Sequence, residues 1–285
     1  MQIAIAGASG LVGSALVPFL EKGDHVVIPL KRESDQLYHL HDLTPDVVIN
    51  LSGENIASRW SEEKKKKIRD SRVRTTEMLA REAATSKNPP KLFLNASAIG
   101  YYGNREEVTL DESASKGSGF LSDVVEAWER ALQPLKAAKI RTVAMRFGVV
   151  LSQEGGALAK MLTPFKLGMG GPVGSGKQFM SWIAIDDILG AIHHAITEER
   201  LEGAVNFVAP HPERNGDFVK TLGAVLGRPA IVPMPEWSVK LLFGEMGQEI
   251  LLSGAKVEPK KLLDSGYPFL YPDLNSALVK ILGRE

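Results

Sequence analysis

The chain has 285 residues and a mass of 31.0 kDa, with 34 basic and 34 acidic side chains and a sequence pI of about 7.0. That length fits one large domain or two coupled domains of ~100–200 residues, and the even charge balance argues against a nucleic-acid binder. The absence of cysteine excludes disulfides, thiolate zinc sites and cysteine nucleophiles, and no apolar run approaches the ~18–20 residues of a membrane span.

Met1-Gln2-Ile3-Ala4-Ile5-Ala6 reads as a strand from the first residues and has no basic-then-apolar leader pattern, so a cytoplasmic protein is expected. A helix follows from Gly13 to Lys22, with Leu16, Phe19 and Leu20 on one side and Gly23 ending it as a C′ glycine. His25–Leu30 is the second strand. The segment from Glu33 to Pro45 is too short and polar for a further strand–helix unit and reads as irregular. Asp46–Leu51 is apolar, as a strand covered on both faces should be. Ser61 to Ser86 is a long helix capped by Ser61, with acids in its first turn. Strand Lys91–Ser97, helix Phe120–Ala138 and strand Thr142–Arg146 complete an alternation that implies α/β architecture: a Rossmann-type, doubly wound parallel sheet.

Beyond Leu151 the texture becomes rich in glycine and proline, with shorter helices at Asn215–Leu226, Pro235–Phe243 and Asp273–Leu282. The expected division is a dinucleotide-binding domain over residues 1–155, to which the chain returns at 180–210. A substrate lobe spans 156–285, with a small C-terminal unit at about 211–285.

The chemistry concentrates at the first strand-to-helix turn, Gly7-Ala8-Ser9-Gly10-Leu11-Val12-Gly13. A Gly-x-x-Gly-x-x-Gly turn lets the backbone bend tightly and approach a pyrophosphate, which meets free N–H groups at the positive end of the helix. Its place between a strand and a helix gives the pattern its specificity. Lys31-Arg32 stand at the tip of the second strand, where an acid would accept a ribose 2′-hydroxyl and a base would accept a 2′-phosphate. NADP is therefore expected over NAD. Three other features read as bland. Gly171–Gln178 nearly matches a triphosphate-binding loop, but Gln178 cannot supply the metal-binding hydroxyl. Lys64–Lys67 are interleaved with Glu62, Glu63 and Asp70 as a solvated helix face. His193 and His194 have no carboxylates at ligand spacing and read as structural.

With these residues in place, the chain resembles the extended short-chain dehydrogenase/reductases, and within them an atypical epimerase-like NADP-binding subgroup. Ala6–Gly13 matches the glycine motif of that family. Asn50-Leu51-Ser52-Gly53-Glu54-Asn55-Ile56 is similar to the subgroup's segment beside the adenine ribose, and Ser71-Arg72 with Thr75-Thr76 to a helix motif whose arginine reaches the cofactor. Ser97-Ala98-Ile99-Gly100-Tyr101-Tyr102-Gly103 corresponds to the catalytic serine strand and its loop. Trp182–Asp187, Val208–Pro210, Thr221–Pro229 and Leu251–Lys261 match the remaining length.

The resemblance implies a cofactor site made by Gly7, Ser9, Gly10, Leu11, Val12, Gly13, Lys31, Arg32, Asn50, Leu51, Ser52, Gly53 and Arg72. It also implies hydride exchange with a hydroxyl- or carbonyl-bearing small molecule, no nucleic-acid or membrane partner, and homodimerisation through the helices at 61–86 and 120–138. One departure stands out. The family's Tyr-x-x-x-Lys falls on Leu121 and Val125 when Glu129 is aligned with the family's following acid, and neither side chain transfers a proton. The proton then comes from Tyr101 or Tyr102 beside Ser97, or from water or substrate. Alternatively the chain binds NADP without turnover, as a sensor or scaffold.

Overall fold

A computed structural model describes residues 1–33 and 37–283. Its centre is a six-stranded, wholly parallel sheet. Strands β1 (Gln2–Ala6), β2 (Val26–Pro29), β3 (Val47–Asn50) and β4 (Leu92–Ala98) are joined by Arg141–Phe147 and Gly203–Phe207. From one edge the order runs Gly203–Phe207, Arg141–Phe147, β4, β3, β1, β2.

The alternation of side chains along a strand sorts the core into two layers. Ile3, Ile5 and Ile49 pack with Leu16 and Leu20 of α1 (Leu11–Lys22) and with Ile188 and Ile192 of helix Ile185–Thr197. Ala4, Ala6 and Val48 face the other way, onto Leu79, Ala80 and Ala83 of α2 (Glu62–Thr85) and onto Leu132 and Leu135. Both faces are thus covered, as a parallel sheet requires. A second apolar core joins Leu158, Leu162 and Trp182 to Phe218, Leu222, Leu274 and Leu278. Asp187, completely buried in the first turn of helix Ile185–Thr197, ties the C-terminal segment to that helix by accepting the N–H groups of Leu270 (2.8 Å) and Tyr271 (3.0 Å).

Several local expectations need correcting. Helix α1 begins at Leu11, two residues earlier than the periodicity suggests, with Gly10 at its N-cap. Phe19 is not on the core face: it is 38% exposed and meets the edge of His193. Gly23 caps α1 with φ −87°, and the left-handed residue is Asp24 (φ +59°). The helix expected over 120–138 is two, α3 (Phe120–Arg130) and Gln133–Ala137, because Pro134 lacks the N–H that a continuous helix needs and instead opens the second one. The helix expected to end at Phe243 runs over Glu236–Met246 with a break at Gly244. Of the segment read as irregular between Glu33 and Pro45, residues 34–36 lie outside the described residues. The rest forms no regular element beyond a bridge between Arg32 and Tyr38.

Candidate dinucleotide and substrate site

The strand order reverses at β1, with β2 on one side and β3 on the other, which opens a crevice beyond their carboxyl ends. The glycine turn fills one wall of it. Gly7 has φ +83°, and a Cβ there would lie 2.8 Å from the Leu51 carbonyl carbon and 2.9 Å from the Ser52 nitrogen. At Gly13 a Cβ would lie 2.3 Å from the Gly7 oxygen. Only glycine lets the first turn of α1 sit directly on β1 and on the Leu51–Gly53 turn. Gly10 donates its own N–H to the Gly7 carbonyl (3.0 Å), and the helix then starts with no side-chain cap. The N–H groups of the first turn, at Leu11, Val12 and Gly13, have no intrahelical acceptor and face the crevice end of the helix dipole. This is an anion cradle, and it fits a dinucleotide pyrophosphate.

The far end of the crevice is a cavity of about 480 Å³ bounded by Ser9, Leu30, Lys31, Arg32 and Tyr38. Lys31 and Arg32 are exposed there, and the Arg32 guanidinium lies 5.5 Å from the centre of the Tyr38 ring. Glu33, the acid that follows, is hydrogen-bonded to His41.

The residues of the third wall divide by role. Asn50 is completely buried and spends its side chain internally. Its amide donates to Thr76 (2.9 Å) and Asn95 (2.8 Å), while its oxygen accepts from the backbone and hydroxyl of Ser52 (3.1 and 2.6 Å). Asn50 therefore shapes the Leu51–Ser52–Gly53 turn. Arg72 lies beneath that turn: a Cβ on Gly53 would be 3.2 Å from its guanidinium carbon. Arg72 donates to the carbonyls of Ile68 and Glu54 (3.0 Å each) and stands 5.2 Å from the Trp128 ring centre. Burial pulls its pKa down to about 10, and the nearby Glu54 charge opposes this. No carboxylate pairs with it among the described residues, so it adds positive charge to the crevice.

The chain carries one constellation that local sequence signals did not reveal in full. Ser97, at the carboxyl end of β4, donates its hydroxyl proton to Glu129 Oε1 (2.6 Å). Arg146 holds both Glu129 oxygens, through Nε and Nη2, at 2.8 Å each. The same guanidinium donates to the Tyr102 hydroxyl (2.9 Å) and lies 3.6 Å from the Tyr101 ring centre. Tyr102 is completely buried and donates to Asn206 Oδ1 (2.7 Å). Burial raises the Tyr102 pKa despite the charge of Arg146, so its phenol is neutral. Burial pulls on Arg146 too, but the hydrogen bond and charge of Glu129 outweigh it and raise its pKa.

Leu121 and Val125 sit against Gly100, with a Cβ there 3.4 Å from Leu121 Cβ and 3.9 Å from Val125 Cγ2. Apolar side chains thus occupy the helix positions beside the serine loop. Arg146, a cation within the apolar stretch Val143–Phe147, was the available signal for the hidden pair.

At 40% identity, with 97% of this chain and 96% of the relative covered, the chain is similar to epimerase family protein Mb2239 of Mycobacterium bovis. Residues 3–207 match the NAD dependent epimerase/dehydratase family. The chain belongs to this family. Residues 234–281 also match a domain of unknown function, DUF1731. Human epimerase family protein SDR39U1 is 37% identical over 99% of this chain and all of its own length. The crystal structure of its isoform 2, described as containing NADPH, superposes with a TM-score of 0.92 at 36% identity over 99% of each chain. The extended short-chain architecture expected from the motifs is therefore shown. No helix of the described residues is long and apolar enough to cross a membrane. His194 faces the Ser265 hydroxyl at 3.0 Å. The triphosphate-like loop at Gly171–Gln178 leads into strand Phe179–Met180, not into a helix, and Gln178 ties it to the carbonyls of Val173 and Leu251.

One buried carboxyl beside this family site carries a pH signature. Glu112 accepts the N–H groups of Asn206 (3.0 Å) and Lys261 (3.2 Å) through Oε1, while Oε2 is buried without a partner. Burial raises its pKa above the usual 4.5 and outweighs those donors. A carboxyl raised in the folded state stabilises the fold below its unfolded pKa and loses that contribution as pH climbs through the folded one. Glu112→Gln is expected to flatten this loss, gaining on the wild type from about pH 4.5 upwards. Urea unfolding across pH 4–8 measures it, and parallel curves for the two proteins would contradict it.

Proposed function

We propose that the chain binds NADP(H) in the crevice between the Gly7–Gly13 and Leu51–Gly53 turns. In this reading it acts as an oxidoreductase or epimerase-like protein on a small hydroxyl- or carbonyl-bearing molecule. The supporting observation is the placement of Lys31 and Arg32 on the cavity beside Ser9 while Glu33 is engaged by His41. Two cations suit a 2′-phosphate, and the acid that would favour a bare ribose is turned away. The human relative described with NADPH agrees with that choice.

A bound nicotinamide supplies reversible hydride chemistry at one ring carbon. The chain's own residues do the rest. Leu11, Val12 and Gly13 hold the pyrophosphate through backbone N–H groups, and Lys31 and Arg32 hold the 2′-phosphate. The loop at Gly155-Gly156 rests on Leu11, with a Cβ at either glycine 3.2 Å from its methyl carbons, and covers the head of α1. Ser97 has committed its proton to Glu129, so its oxygen is left to accept a hydrogen bond from a substrate hydroxyl. Tyr101 flanks that position on the face of Arg146, while Tyr102 positions Arg146 from within. The lobe built on the second core supplies the substrate-side wall.

A second reading, an NADP-binding sensor without turnover, is favoured by Leu121 and Val125 occupying the helix positions next to Ser97. Following reduced-cofactor absorbance during incubation with candidate substrates separates these readings: steady loss marks a reductase, and product without loss an epimerase. Unchanged turnover in Ser97→Ala would remove that hydroxyl from the chemistry.

Arg32→Glu tests the cofactor assignment directly. Losing a charge-assisted contact of about 1.5–3 kcal/mol predicts NADPH binding ~10–100-fold weaker, with NADH affected far less. Equal losses for both cofactors would contradict the 2′-phosphate role.

A further inference from the structure

Three charged side chains follow one another past the tip of β2: Lys31, Arg32 and Glu33. Two of them attract a phosphate and the third repels it, so the direction taken by Glu33 decides what this corner can hold. Arg32 is fixed on the cavity. Its backbone pairs with Tyr38 in an antiparallel bridge, and its guanidinium stands 5.5 Å from the centre of that ring. Glu33 is held differently. Its N–H donates to the Leu37 carbonyl (3.0 Å), and its carboxylate is hydrogen-bonded to Nε2 of His41, eight residues further on.

The backbone is strained to put His41 there. Its φ of +46° lies in the left-handed region, which residues with a Cβ seldom adopt, and such strain persists only where neighbouring contacts enforce it. Those contacts come from α2. Glu82 of that helix meets His39 Nδ1 at 2.7 Å through Oε1 and accepts the N–H of the buried Leu40 at 2.6 Å through Oε2. The rings of His39 and His41 then stack, with centroids 5.1 Å apart and planes within 13°. Two imidazoles therefore stand in a row between two carboxylates, with Glu82 at the helix end and Glu33 at the open end.

The Glu33–His41 pair is itself exposed, at 44% and 60%, so it adds little to folding stability. Its consequence is to choose where one carboxylate resides. A second acid, Glu54, is restrained in a similar way: its hydrogen bond to Lys64 (2.5 Å) holds its carboxyl below the usual range, and the charge of Arg32 adds to this.

We infer, on the reading that Lys31 and Arg32 hold the 2′-phosphate, that His41 is a positioning residue for cofactor selectivity. It keeps the Glu33 carboxylate off the 2′-phosphate. Without it Glu33 turns back onto Arg32 and Lys31, and the corner discriminates poorly between a phosphorylated and a bare ribose. One unit charge about 5 Å from a nearly doubly charged phosphate in water corresponds to roughly a tenfold loss of affinity.

Calorimetric titration of the full chain with NADPH and with NADH tests this in the wild type, His41→Gly, Glu33→Gln and the double variant. Glycine adopts a φ of +46° without strain, so His41→Gly removes the imidazole and keeps the backbone path. Its preference for NADPH over NADH is expected to fall about tenfold, mostly through weaker NADPH binding, with little change in thermal melting. Glu33→Gln is expected to keep or raise the wild-type preference. The double variant is expected to match Glu33→Gln, because the carboxamide carries no charge to restrain. An unchanged preference in His41→Gly, or equal losses for both cofactors, would overturn the inference. So would a double variant as unselective as His41→Gly, since His41 would then act on the phosphate by its own charge. A wild type without preference for NADPH would instead overturn the cofactor reading, and this inference with it.

Discussion

Gly13→Val is expected to weaken NADPH binding by at least about 100-fold, roughly 2.7 kcal/mol, while the chain still folds. The new side chain begins at a Cβ 2.3 Å from the Gly7 oxygen and 2.7 Å from Ala8 Cα, both backbone atoms that cannot rotate aside. The turn has little room to retreat, because even a single carbon added at Gly7 would lie 2.8 Å from the Leu51 carbonyl carbon at its back. Either α1 lifts from β1 or the turn opens, and the first-turn N–H groups no longer converge on one anion. Overpacking of this kind costs about 1–3 kcal/mol of stability, which a domain with two large cores withstands. Calorimetric titration of NADPH, paired with thermal melting of the unliganded variant, separates lost binding from lost fold. Wild-type affinity in the variant would contradict the cradle.

Arg146→Leu is expected to cost about 3–5 kcal/mol of folding stability. The Arg146 side chain is 4% exposed and its partner Glu129 18%, so removing the cation leaves a largely buried carboxylate with the Ser97 hydroxyl as its remaining side-chain donor among the described residues. Tyr101 loses the guanidinium against its ring, and Tyr102 loses a donor. Removing both charges, in Arg146→Leu with Glu129→Leu, is expected to recover a large share, because a missing pair is less costly than a broken one. Equilibrium urea unfolding of the two variants measures this. A loss below about 1 kcal/mol in the single variant would mean that the ion pair contributes little.

The parts of the site that were legible in the sequence are those whose chemistry is local. The glycine turn declares itself because three glycines, a strand and a helix start fall within a dozen residues, and Lys31-Arg32 follow a strand whose end is easy to locate. Ser61 caps α2 as its residue type suggests, accepting the Lys64 N–H at 3.1 Å. The alternation of strands and helices was enough to read the parallel sheet. Boundaries failed where one residue overrides a periodic pattern: Pro134 splits a helix that hydrophobic spacing carries straight through, and Phe19 drifts off the stripe defined by Leu16 and Leu20.

What stayed hidden depends on pairing across long stretches of chain. Ser97 is 32 residues from Glu129, and Tyr102 is 104 from Asn206. Nothing in the spacing of those residues couples them, although Arg146, buried in the apolar stretch Val143–Phe147, required a partner. The same holds for Glu249, whose carboxylate accepts the N–H groups of Phe120 (2.8 Å) and Leu121 (3.0 Å) and so caps α3 from the C-terminal segment. Gly119, at φ +110°, makes room for it: a Cβ would lie 3.0 Å from that carboxylate. Asn50 gave a partial reading, since its place at the end of β3 was legible but its duty inside the Thr76–Asn95–Ser52 network was not.

The most direct measurement is calorimetric titration of the wild-type chain with NADPH and, separately, NADH. Saturable one-to-one binding of NADPH, tighter than NADH by at least about tenfold, is the predicted result. Heat-silent titrations with both nucleotides, or NADH the tighter of the two, would contradict it.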